Sequence, residues 1–119
     1  MRANPIRQRL LAGETVFGVM IMEVVSPGLP QIFANAGAEF IMYDQEAGCL
    51  DIGAVKLQAA LCRGLGVVPM VNVPWHDYDQ LVRPLDCGMM GVMVPVVQTR
   101  EEAEAIVRVT HYPPAGTQT

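Results

Sequence analysis

A chain of 119 residues is the size of one ordinary domain, which argues against a multidomain architecture. Hydrophobic residues make up 51% and charged ones only 17%, against roughly 25% in average chains, so intrinsic disorder is excluded. The net charge is −4, Lys56 is the only lysine and no basic run occurs, which argues against a nucleic-acid surface or a polybasic membrane anchor.

The first helix signal is Asn4 followed by Pro5, a capping side chain before a first-turn proline, and the helix should run to Ala12 and stop at Gly13. Val16 to Met22 is a near-continuous apolar run, the pattern of a strand covered on both faces. Ser26 and Pro27 repeat the cap-plus-proline signal and open a helix to Ala36, with Gly37 closing it. A second strand spans Glu39 to Tyr43 and empties into the polar turn Asp44, Gln45, Glu46. Asp51 can cap a helix to Arg63 that Gly64 and Gly66 close. Strand three is Val67 to Val71, helix four Asp77 to Asp86 with Gly88 after it, and strand four Met90 to Val94. Thr99 and Glu102 have capping-box spacing for a last helix to Thr110, followed by a turn-like tail from His111 to Thr119.

Strands alternating with helices mean βα units and a parallel sheet. The order of helix end, glycine and strand also recurs, weakly, in Ala36–Met42 and Cys87–Met93. Two architectures are open: a small doubly wound sheet, or four units of an eight-unit (β/α) barrel. A doubly wound nucleotide fold would show a glycine-rich loop after strand one. Glu23, Val24, Val25, Ser26 and Pro27 stand there instead, which favours the half-barrel.

Cys49, Cys62 and Cys87 are odd in number, with no C-x-x-C pair, so reduced thiols in a cytoplasmic protein are expected. No apolar run reaches the roughly 18 residues of a membrane span, and the polar N-terminus does not read as a signal peptide.

A barrel carries its active site at the C-terminal ends of its strands. The candidates there are Glu23, Asp44 to Ala47, Asn72 to His76 and Pro95 to Gln98. Asp44 and Glu46 could orient a base or reach a metal's water shell. The blander alternative is an Asp that takes the backbone hydrogen bonds of its own turn. His76 reads as a surface cap beside Asp77, and His111 as a helix-end imidazole. Trp75 reads as packing, and the strand methionines Met20, Met22, Met42, Met70, Met90 and Met93 as core filling. Asp86 sits at a helix end, where a carboxylate needs a specific partner or full exposure.

The segments Ser26–Gly28 with Ala34–Glu46, Val68–Pro74, Leu85–Pro95 and Tyr112–Gly116 resemble the HpcH/HpaI aldolase family in one register over nearly the whole chain. The resemblance implies a TIM-type (β/α)8 barrel, of which residues 1–119 are one partial domain ending before strand five. It implies a class II-type lyase, dependent on Mg or Mn, that acts on 2-oxo acids such as 4-hydroxy-2-oxo acids through a pyruvate enolate. The family's Asp-x-Glu-His turn falls on Asp44, Gln45, Glu46 and Ala47, so the base position holds alanine. The family's arginine falls on Asn72, beside Pro74 in the substrate-binding segment, and its supporting aspartate on Asp86. The arginine of its Y-P-P-x-G-x-R tail falls on Gln118. Its metal ligands come from strands five and six, so this chain supplies none. On these grounds the isolated chain is expected to be inactive and metal-free. The alternative is a non-catalytic half-barrel that forms a homo-oligomer or complements a separate C-terminal half.

Overall fold

The computed structural model describes residues 3–118 and places nine elements in strict alternation after a leading helix. They are α1 (Pro5–Leu11), β1 (Gly18–Ile21), α2 (Leu29–Asn35), β2 (Phe40–Asp44), α3 (Ile52–Leu65), β3 (Val68–Asn72), α4 (Tyr78–Asp86), β4 (Val92–Met93) and α5 (Arg100–Thr110). The strands form one sheet in the order β1-β2-β3-β4, and every neighbouring pair is parallel. This is the half-barrel connectivity, since a doubly wound sheet reverses its strand order at a switch point.

Side chains cap four helices, at the expected residue in three of them (Asn4, Asp51 and Thr99) and at Asp77 in the fourth. Asn4, Asp51, Asp77 and Thr99 each accept a backbone N–H of the first turn. The start of α2 differs from the expectation. Gly28 occupies its cap position without a side-chain bond, and Pro30 rather than Pro27 lies in its first turn. The Ser26 carbonyl instead accepts from Leu29 N (3.2 Å) and from Gln58 Nε2 (3.0 Å), which holds Ser26 in a turn before the helix. At the far end of α3, Gly64 lies inside the helix, and Gly66 closes it at φ 73°, a conformation that favours glycine. The strands β1 and β4 are shorter than their apolar runs.

Side chains alternate across the sheet. Ile21, Ile41, Tyr43, Val71 and Val73 face the helices and join Val55, Ala59, Cys62 and Leu81 in one buried core. Within it Tyr43 Oη donates to Gln58 Oε1 (3.0 Å) and lies 3.3 Å from Cys62 Sγ. Gln58 Nε2 holds the Ser26 carbonyl, so this network ties β2, α3 and the loop before α2 together. Burial pushes both the Cys62 thiol and the Tyr43 phenol up; the neighbouring thiol raises the phenol further, whereas the hydrogen bond from Tyr43 works the other way on the thiol and is outweighed.

The opposite face carries Met20, Phe40, Met42, Met70 and Met93, with Asp44 and Asn72 at its C-terminal end. Met20 and Met93 remain 45% and 41% exposed, because no second layer covers this face among the described residues. Below the sheet, α1 is fastened by Asn4 Nδ2 to the Met90 carbonyl (3.0 Å) and by Arg9 to Glu39 and Glu14. Among the described residues no helix is long and apolar enough to cross a membrane.

Candidate active site

The site is built where β2 and β3 end. Their register pairs Asp44 with Asn72, so the last residues of two adjacent strands lie side by side on the face away from the helices. Asp44 is 1% exposed and Asn72 2% exposed. Asp44 Oδ1 accepts from the backbone N–H groups of Glu46 (2.9 Å) and Ala47 (3.3 Å), the Asx turn that polar residues make after a strand. The same oxygen accepts from Asn72 Nδ2 (2.9 Å), which also donates to Glu46 Oε2 (2.9 Å). One amide group thereby fastens two carboxylates, using both of its hydrogens.

The backbone around the cluster is equally constrained. Gln45 N donates to the Asn72 carbonyl (2.9 Å), and Gln45 Nε2 to the Leu50 carbonyl (3.0 Å). Gly48 packs so closely that a Cβ there would overlap the carbonyl oxygens of Met22 and Asp44. Only glycine lets the loop after β2 fold down onto the end of β1. The positioning of the acids therefore rests on a strand register, an Asx turn and one close backbone approach.

The other expected site residues fall into three groups. Ala47 and Glu23 are exposed in the loops after β2 and β1, and Pro74 is half-buried after β3. Trp75 and His76 stack on each other with ring centroids 4.6 Å apart, and Asp77 rather than His76 caps α4, because its carboxylate can accept the Gln80 N–H. Asp86 is not brought to this cluster. It ends α4 at the opposite end of the sheet, exposed, and accepts from Gln118 Nε2 (3.3 Å). Its partner comes from the tail, which folds back through Thr117 N to the Arg108 carbonyl (2.7 Å) and Gln118 N to the His111 carbonyl (3.0 Å). His111 Nδ1 donates to the Val107 carbonyl (2.8 Å), the helix-end role expected for it.

The double donation by Asn72 is what the sequence alone did not disclose. The signal was the identical offset of Asp44 and Asn72 from the starts of their strands, which becomes informative only once the register is known. Chemically, the cluster offers carboxylate acceptors and no positive charge. Both hydrogens of the amide are engaged within the chain, and no titratable group stands at Ala47. Two carboxylates and a neutral amide do not by themselves complete a divalent metal's shell, although Asn72 Oδ1 is buried there without a hydrogen-bond partner among the described residues. Asp44 Oδ1 already accepts three N–H groups, and Glu46 Oε2 accepts the Asn72 amide. Among the described residues no group of three or more His, Cys, Asp or Glu side chains is placed to hold an ion.

A parallel βα sheet with its polar cluster at the C-terminal strand ends defines a (β/α)-barrel scaffold. The family model described as HpcH/HpaI aldolase/citrate lyase matches residues 18–119, and the chain belongs to that family. It is 30% identical over 113 residues to a hydroxypyruvate/pyruvate aldolase of Roseobacter denitrificans, covering 95% of this chain and 44% of that protein. It is 32% identical over 113 residues to a 4-hydroxy-2-oxo-heptane-1,7-dioate aldolase of Klebsiella pneumoniae, covering 95% of this chain and 42% of that one. The crystal structure of an HpcH/HpaI aldolase from Desulfitobacterium hafniense superposes with a TM-score of 0.91 at 31% identity, over 96% of this chain and 44% of that chain. The chain thus spans less than half the length of the relatives it matches.

Proposed function

We propose that residues 1–119 are one partial barrel domain contributing the Asp44–Glu46–Asn72 corner of a carbon–carbon lyase site that acts on 2-oxo acids, and that this chain alone does not turn over. The reading is carried by one observation: two carboxylates and an amide locked together at the C-terminal ends of adjacent strands. Substrates of the 4-hydroxy-2-oxo acid class fit the family, and a pyruvate enolate is the intermediate they share. Forming that enolate requires positive charge or strong hydrogen-bond donors where the oxyanion develops, and a base for the proton. This chain has carboxylates at that corner, so its contribution is to hold the loop after β2 and to accept hydrogen bonds.

The charge and the base must come from groups that Asn72 and Ala47 do not supply. The family's divalent cation, Mg or Mn, brings charge stabilisation when bound; none of this chain's steps is routed through it. Three free thiols fit a reducing compartment such as the cytoplasm. Purified chain incubated with pyruvate, an aldehyde and Mg²⁺ or Mn²⁺ should form no aldol product above background. Clear turnover would overturn the claim of inactivity. In a barrel completed with a C-terminal half from a relative, Ala47→His with Asn72→Arg should raise the rate by roughly 10²-fold or more. A completed, folded barrel indifferent to that double substitution would overturn the assignment of the corner.

A further inference from the structure

We propose that Gln58 on α3 is a positioning residue that ties the loop after β1 to the Asp44–Asn72 corner, so that two neighbouring strand-end loops are set by one buried amide. Its functional role rests on the lyase reading of that corner, whereas the linkage lies wholly between β1, β2, α3 and their connecting loops. Gln58 is 1% exposed and uses both ends of its side chain. Oε1 accepts from Tyr43 Oη (3.0 Å), and Nε2 donates to the Ser26 carbonyl (3.0 Å). Turning the amide over would set Oε1 against that carbonyl. Ser26 therefore fixes the orientation, and the Tyr43 hydroxyl, which can donate or accept, conforms to it.

Pro30 leaves the Ser26 carbonyl open to this bond. In a helix begun at Pro27, that carbonyl would take the N–H of residue 30, and proline has none. Leu29 N reaches it instead in a turn (3.2 Å), and Gln58 supplies the second donor from another element. At the other end of the amide, Tyr43 immediately precedes Asp44 in β2, and successive strand residues face opposite ways. Seating the Tyr43 phenol against α3 thereby sets the backbone from which Asp44 reaches the Glu46 and Ala47 N–H groups and the Asn72 amide. The loop after β2 in turn rests on the end of β1, where Gly48 packs on the Met22 and Asp44 carbonyls. Glu23, Val24 and Val25 are thus carried between two attachments, Gly48 against Met22 and Gln58 at Ser26. An apolar side chain would fill the Gln58 position for packing alone; the amide is what makes the two loops one unit.

Hydrogen exchange followed amide by amide in the intact chain tests the linkage. Tyr43→Phe removes one hydroxyl on β2, yet should speed exchange of the Leu29 amide, which bonds the Ser26 carbonyl. The expected change is roughly fivefold beyond any change at the β2 and β3 amides, the net weight of one neutral hydrogen bond. Gln58→Met, of similar volume, should do the same at Leu29 and also at the Glu46 and Ala47 amides of the Asp44 turn. Val55→Ala opens a cavity on the same buried stripe of α3 without removing either bond, and should alter all of these amides in parallel. A Leu29 amide indifferent to Tyr43→Phe, or one altered no more than the sheet amides in the Tyr43 and Gln58 variants, would overturn the proposal. Should Gln58→Met not fold, the ratio of Leu29 to Ile41 exchange in Tyr43→Phe decides: a raised ratio supports the linkage and an unchanged one overturns it. These readouts do not involve turnover, so failure here leaves the lyase reading standing, and the reverse.

Discussion

Asn72 is held in place by what it holds. Its side-chain nitrogen donates to Asp44 Oδ1 and Glu46 Oε2, both at 2.9 Å, at a position only 2% exposed. Replacing the amide by a carboxylate, Asn72→Asp, deletes both donations and sets a third acid against the first two. Leaving buried charges unpaired typically costs roughly 3–5 kcal/mol, and some relaxation toward solvent puts this substitution near the lower figure, about 3 kcal/mol at pH 7. Like charges raise the new carboxyl's pKa, so the loss is present above the ordinary aspartate range of about 4 and shrinks as the pH falls toward it. Urea midpoints at pH 7 and pH 4.5 check this: the deficit should be smaller in acid. A pH-independent deficit would mean lost packing alone. Asp44 as the acceptor of its own turn was legible in the sequence, because an Asx turn is a local pattern. The partnership with Asn72 was not, because it depends on which residues of β2 and β3 lie opposite each other, and pairing is long-range information.

The elements repeat that lesson one level up. The alternation and three of the five helix starts, capped by Asn4, Asp51 and Thr99, were readable, since side-chain capping involves neighbours three residues apart, whereas the cap of α4 falls on Asp77 and not on His76. The start of α2 was not. Prolines 27 and 30 both suit a first helical turn, and the choice falls to Gln58 on α3, which holds the Ser26 carbonyl out of the helix. Likewise β4 pairs only along Val92–Met93, less than its apolar run offers. The capping box of α5 is the most local of these devices. Thr99 Oγ1 accepts from Glu102 N (3.2 Å), while Glu102 Oε2 accepts from Gln98 N (2.8 Å) and Thr99 N (3.0 Å). Those N–H groups of Gln98 and Thr99, aided by nearby His76, hold the Glu102 carboxyl below its ordinary range. A depressed folded pKa contributes stability above the unfolded value of about 4.3 and loses it as the pH falls through the folded one. Thr99→Ala should cost about 1 kcal/mol at pH 7, read from denaturant midpoints. Glu102→Gln should flatten the acid side of the stability profile and leave the profile above neutrality unchanged. A profile unaltered in acid would place the Glu102 contribution elsewhere.

At the scale of the whole molecule the core lies on one side of the sheet only, between its helix-facing side chains and α3, and the Tyr43–Gln58–Cys62 network runs through it. The half-barrel itself was legible from the βα alternation together with the missing glycine-rich loop after strand one. That its buried side would carry a phenol, an amide and a thiol in mutual contact was not, since α3 presents Gln58 and Cys62 on the stripe its apolar spacing assigns to packing. This arrangement makes global stability sensitive to alkali. Burial keeps both the Cys62 thiol and the Tyr43 phenol protonated past their ordinary values. The unfolded chain releases those protons near pH 8.5 and pH 10, respectively. The folded state then binds more protons than the unfolded one, so stability is fully present below about pH 8.5 and declines as the pH rises beyond it. Urea midpoints should be level from pH 7 to pH 8 and fall through pH 9 and 10, with Cys62→Ala flattening the first part of the fall. The same burial separates the thiols kinetically. Exposed Cys49 should react with a disulfide reagent at the rate of a free thiol, and Cys62 only at the rate of global unfolding. A Cys62 labelled as fast as Cys49 at pH 7.5 would mean that α3 opens without the sheet, and the core would then be two units instead of one.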